Sequence, residues 1–121
     1  MTNRWFRTAA FLMMLGVLLG AFGAHALKGR LSVESVEVYR TAVLYQFIHA
    51  IGLFIVAHAT AGSTYRKRAI NLAGYCFLGG IVIFSGSLYV LSLTGIKWFG
   101  AMTLIGGLLF VLGWASLAFG T

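Results

Sequence analysis

Residues 69–96 read AINLAGYCFLGGIVIFSGSLYVLSLTGI, 28 consecutive positions without Asp, Glu, Lys or Arg. A helix crosses the hydrocarbon core of a bilayer with about 20 predominantly apolar residues, so this stretch is long enough to span one. Three more charge-free runs accompany it: residues 8–27, 41–65 and 98–121, of 20, 25 and 24 residues. One such run can be the buried helix of a soluble domain. Four in succession, joined by short connections, leave no polar surface from which to build one. The whole chain agrees, at 60% hydrophobic and 9% charged residues, where a soluble domain carries about 25% charged and would otherwise expose large apolar patches. The sequence therefore predicts an all-α integral membrane four-helix bundle, a single transmembrane domain over residues 1–121 with the lipid bilayer as its first partner.

The spans are expected at about 5–27, 42–61, 69–92 and 98–119. No proline occurs, so none imposes a kink. The first connection has content of its own. Ser32 can cap a helix and Glu34 lies in its first turn. Val33, Val36 and Val43 fall on one side, Glu34, Glu37 and Thr41 on the other. This predicts an amphipathic lead-in over about 32–41, lying at the interface or extending the second span. The first segment has features of a signal peptide: Arg4 and Arg7, an apolar run, and Ala24-His25-Ala26 as a small-residue site. Its apolar run exceeds the usual length of about 7–15 residues, so it is expected to stay as a helix.

The net charge of +7 does not indicate nucleic acid. The nine basic residues sit at the ends of apolar runs, and no polar domain exists to carry a binding face. Basic flanks instead orient membrane helices. Arg4, Arg7, Arg66, Lys67 and Arg68 fall on one face; Lys28, Arg30, Arg40 and Lys97 fall on the other. The compact 66–68 cluster favours both termini of this multi-pass protein in the cytoplasm. Trp5, Tyr39, Tyr65 and Trp98 are expected near the interfaces.

Lipid does not drive helices together by hydrophobicity, so close backbone approach matters. Gly16, Gly20 and Gly23 share a face of the first span, and Gly106, Gly113 and Gly120 share a face of the fourth. Both stripes are expected to pack against helices, of this chain or of another. Cys76 stands alone and is expected as a small packed side chain.

No charged residue lies deep in a span, so the membrane carboxylate that a proton-coupled antiporter relies on is missing. The intramembrane polar residues are informative instead. Tyr45, Gln46 and His49 cover about 100° of the second helix, and Ser85, Tyr89 and Ser92 share a face of the third. Opposed helix directions put both groups in the outer half of the membrane, where they predict a polar cluster. Three uses are open to it: a self-satisfying structural network, a ligand or proton site, or a metal site. The metal reading is the poorest. His49 and His58 point to opposite sides of their helix and lie about 13 Å apart along it, and no cysteine or carboxylate completes a zinc set. No metal and no other cofactor is expected.

Gly20-Ala21-Phe22-Gly23-Ala24-His25-Ala26-Leu27, Tyr45-Gln46 with His49, Phe84-Ser85-Gly86-Ser87-Leu88-Tyr89, and Thr103-Leu104-Ile105-Gly106-Gly107 followed by Gly113-Trp114 stand in order along nearly the whole chain. Together they resemble the motifs of the DUF423 family, also called UPF0382, small membrane proteins of unassigned function. The resemblance implies four helices, an inner or plasma membrane and no established enzyme activity. It implies a proline where this chain has Leu104, so a bend there is not expected. The motifs overlap the candidate polar cluster at His25, Tyr45, Gln46, His49, Ser85 and Tyr89. The first functional expectation is an accessory or assembly protein that packs with itself or with a larger membrane protein. The second is a binder of a small polar or lipid-like ligand through the cluster. A catalytic role ranks last, since no nucleophile–base arrangement is visible.

Overall fold

A computed structural model describes residues 3–62 and 65–120. Helix α1 runs Arg4–His25 and α2 runs Val33–Thr60. The third span is composite: α3 at Lys67–Gly80, a π-helical turn at Ile81–Ser85, and α4 at Gly86–Thr94. Helix α5 runs Trp98–Phe119. These make four helices long and apolar enough to cross a membrane, with mean hydropathies of 1.7, 1.7, 2.0 and 2.0, and no strand occurs among the described residues.

Local signals set the ends. The Asn3 side chain accepts the Trp5 and Phe6 amides, 3.0 and 3.3 Å away, satisfying two of the open N–H groups that begin α1. Its amide group also donates to the Ala57 carbonyl and the Thr60 hydroxyl, which ties the start of α1 to the end of α2. Ser32 caps α2 through the Ser35 amide at 3.1 Å. The 32–41 segment is helical and continuous with the second span. At 28 residues this helix is about 42 Å long, well beyond a hydrocarbon core of about 30 Å, so its first turns project past the apolar layer or the helix tilts. Gly95 closes α4 with φ of 73°, a left-handed conformation that glycine adopts without steric cost.

The bundle is two antiparallel pairs set side by side. α1 packs on α2, α5 packs on the third span, and α2 with the third span forms the centre. The two central spans bury 44% of their most apolar windows and the two lateral ones 17%, so α1 and α5 turn most of their surface outward. The Arg66 amide donates to the Gly120 carbonyl at 3.1 Å. With the Asn3 contacts, this brings the start of α1, the second connection and the end of α5 to one face.

The absence of proline did not keep the third span regular. Its π turn lies where the backbone of Phe84 presses on Gly106 of α5, and where Gly80 meets the Phe110 ring. Contact this close sets the backbone by tertiary packing, and π turns of this kind absorb one extra residue within a helix. Helix α5 passes Leu104 unbroken.

Candidate functional site

Each glycine stripe packs inside this chain. An added Cβ at Gly16 would stand 2.6 Å from Phe47, one at Gly23 would collide with the Tyr39 ring, and one at Gly20 would meet only Val43, at 3.6 Å. In α5, Gly106 lies against Phe84 and Gly113 against Phe77 and Cys76. Cys76 is buried and free.

The glycines of α1 also uncover hydrogen-bond acceptors. A side chain at position i+4 of a helix normally stands over the carbonyl of residue i. Gly16 and Gly23 leave the Leu12 and Leu19 carbonyls bare, and α2 uses both. The Gln46 amide nitrogen donates to the Leu12 carbonyl at 2.8 Å. The Tyr39 hydroxyl donates to the Leu19 carbonyl at 2.5 Å.

Gln46 is the hub of the polar core, 3% exposed. Its carbonyl oxygen accepts the Tyr89 hydroxyl at 2.6 Å, so one side chain of α2 joins α1 to the third span. Beside it the Ser85 hydroxyl, from the π turn, donates to the Ala42 carbonyl at 2.8 Å. The rings of Tyr39 and Tyr89 meet edge to face with centroids 5.2 Å apart.

His49 ties α2 to α5. The indole N–H of Trp114 on α5 donates to His49 Nε2 at 3.0 Å. An indole nitrogen only donates, so Nε2 is the acceptor and the ring proton sits on Nδ1. From there it is donated to the Tyr45 carbonyl at 2.8 Å. The imidazole stacks on Phe110 at 3.5 Å between centroids and 8° between planes, with Phe77 and Trp114 on its flanks. Both nitrogens are therefore committed, and Phe110 covers a face of the ring. Tyr45 contributes its carbonyl to His49 and its ring to the stack with Phe84 and Phe110.

The structure thus brings together Tyr45, Gln46, His49, Ser85 and Tyr89, but not His25. His25 is exposed in the last turn of α1, because its direction is opposite the glycine face that meets α2. Trp5 and Tyr39 are buried within the bundle, at 3% and 4% exposure. Trp5 fills the space above Gly74 and donates its indole N–H to Asn71 at 3.1 Å, while Tyr39 lies over Gly23. Sequence reasoning missed Trp114 and the two bare carbonyls. The signal for the carbonyls was available, since each accepting residue lies four positions before a glycine.

No group of three His, Cys, Asp or Glu residues able to hold a metal converges among the described residues. Every buried side-chain nitrogen and oxygen among them has a partner. Three clefts indent the surface, and Gln46, His49, Ser85 and Tyr89 line none of them.

Four membrane-length helices around an internally bonded polar core define an integral membrane protein. Within that class the chain belongs to the DUF423 family: the family model, described as a protein of unknown function, matches residues 19–107. A UPF0382 membrane protein of Staphylococcus haemolyticus is 46% identical over 112 residues, covering 93% of this chain and 89% of the relative. The UPF0382 membrane protein YwdK of Bacillus subtilis is 45% identical over 104 residues, covering 86% and 84%. No solved structure matches.

Proposed function

We propose that the protein is an accessory or assembly factor of the membrane, acting by association through its outer helix faces, without catalysis. The observation that carries this reading is the closure of the polar core. Gln46 both donates and accepts, His49 uses both ring nitrogens, and Ser85 and Tyr89 each donate inward. A buried group bonded inside the bundle, and lining none of the clefts described, is out of a substrate's reach unless the bundle opens. The residues that first suggest a ligand site are better used as the scaffold that fixes four helices in one arrangement.

What remains for partners is the outside. α5 presents Leu104, Ile105, Leu108, Val111 and Leu112 outward, and α1 presents Phe6, Phe11, Met14, Val17 and Leu18. These faces suit lipid and a second transmembrane surface equally well, which supports a homo-oligomer or a larger membrane protein as partner. Arg4, Arg7 and the Arg66-Lys67-Arg68 cluster support placing both termini in the cytoplasm of a bacterial-type plasma membrane.

Native mass spectrometry from a mild detergent, with stepwise delipidation, tests the reading. The expected result is a discrete oligomer or a stoichiometric protein partner that survives delipidation. A lone monomer carrying a small-molecule adduct that disappears with His49→Ala would overturn it and return the ligand site to the core.

A further inference from the structure

One region is not absorbed by this account. Between the C-terminal half of α1 and the N-terminal half of α2 lies a cleft of about 810 Å³. Its inner end is apolar, lined by Gly20, Val43, Leu44 and Phe47, and its outer end carries Lys28, Glu37 and Arg40. All three charged side chains are exposed. The other two clefts are smaller, about 480 and 340 Å³. In the larger of them Asn3 is already bonded to Ala57 of α2, and Trp5 to Asn71 of α3.

The shape restricts what enters. Aromatic rings fill the space over Gly16 and Gly23, but over Gly20 an added Cβ would meet only one methyl group of Val43. The two helices are thus in contact along this face, most loosely at Gly20. A hydrocarbon chain, narrower than a transmembrane helix of about 10–12 Å with its side chains, suits the apolar inner end of the cleft. Along α2 the lining runs from Val33 to Phe47, about 21 Å at the helical rise. That matches the roughly 15 Å of one leaflet's hydrocarbon plus a headgroup layer. The charge is also directional. Two cations and one anion at the mouth leave a net positive end where a headgroup sits, which attracts an anionic headgroup more than a zwitterionic one.

We propose that this cleft seats one anionic phospholipid, its acyl chain over Gly20, Val43 and Phe47 and its phosphate at Lys28 and Arg40. The site is separate from the polar core and stands whether or not the protein assembles with a partner. Binding here would bridge the first connection to the membrane and stiffen the projecting turns of α2.

The test is native mass spectrometry of the full chain in detergent with equal amounts of dioleoylphosphatidylglycerol and dioleoylphosphatidylcholine. The expected result is one retained lipid per chain, with the phosphatidylglycerol adduct favoured roughly tenfold. Lys28→Gln with Arg40→Gln, both at exposed positions, should remove the preference. Arg66→Gln with Arg68→Gln, at the opposite face, should leave it intact. Equal retention of the two lipids, or a preference that survives loss of Lys28 and Arg40, overturns the proposal. So does a preference that falls equally in both double variants, since that reports net charge rather than a site. A dimer dispersed by Gly20→Leu with no headgroup preference would assign the cleft to a second copy and overturn it as well.

Discussion

The two antiparallel pairs of this bundle both meet through glycine, and they use it differently. Between α1 and α2, Gly16 and Gly23 receive the edges of Phe47 and Tyr39, and they bare the Leu12 and Leu19 carbonyls for Gln46 and Tyr39. Glycine there makes room for side chains and for hydrogen bonds. Between α5 and the third span, Gly106 receives the backbone of Phe84 itself, and the third span takes up a π turn at that point. Rings can swing and backbones cannot, so the first pair has slack that the second lacks at Gly106. That slack is visible as the cleft at Gly20.

The sharpest way to break this contrast is to add one methyl group to each pair. In Gly106→Ala the new Cβ meets the Phe84 amide nitrogen and Cα, so a helix must move. Overpacking of this kind sits at the top of the usual range, about 3 kcal/mol. Gly20→Ala meets ordinary van der Waals space and should change stability by less than about 0.5 kcal/mol. Thermal unfolding in one detergent, followed by circular dichroism, compares them directly. Equal melting temperatures would show that the α5 contact relaxes as easily as the α1 contact, and the contrast would fail.

The next effect concerns the bond that joins the two pairs. His49→Leu removes an acceptor from Trp114 and a donor from the Tyr45 carbonyl while roughly keeping the volume. Leaving a buried polar group unpaired costs about 1–3 kcal/mol, and about 2 kcal/mol is expected here. A companion variant, Trp114→Phe, should lose less, because it removes the donor and leaves only the His49 Nε2 acceptor unpaired. Near-ultraviolet circular dichroism should register both, since the indole is held against the imidazole and Phe77. A His49→Leu protein as stable as the parent would mean that His49 is not a structural tie.

The four spans were legible because they follow from length and charge alone. A charge-free and mostly apolar run of 28 residues has few alternatives in water or lipid. The polar core was partly legible. Period and helix direction brought Tyr45, Gln46 and His49 to the depth of Ser85 and Tyr89, since those are properties of single helices. His25 was placed with them by proximity to a motif, and it lies outside because the last turn of α1 rotates it away from α2. Trp114 was invisible for another reason. Pairing it with His49 requires the angular setting of α5 against α2, and that is fixed by Gly106 and Gly113 packing on rings of the third span. The π turn was hidden in the same way, because its cause lies on another helix and not in its own residues.

The smallest expected effect is also the most specific. Tyr89 donates to Gln46, and Gln46 donates to the Leu12 carbonyl, so the polar core is a chain of bonds reaching from the tight pair into the loose one. Interhelical hydrogen bonds within membranes average only about 0.6 kcal/mol, with a maximum of about 1.7, because unfolded helices in lipid also find partners. The Tyr89–Gln46 bond is short and buried, so its coupling should lie in the upper half of that range. A double-mutant cycle of Tyr89→Phe and Gln46→Leu measures it, and the signs separate two accounts. If the bond acts alone, Gln46→Leu costs slightly more than Tyr89→Phe, by its second bond to Leu12. If the chain acts as a unit, Tyr89→Phe also weakens the Gln46–Leu12 bond, and the two single variants lose nearly the same stability. A coupling near zero would leave the Ser85–Ala42 and Trp114–His49 bonds to join the two pairs, and Gln46 would return to the pool of groups free to meet a ligand.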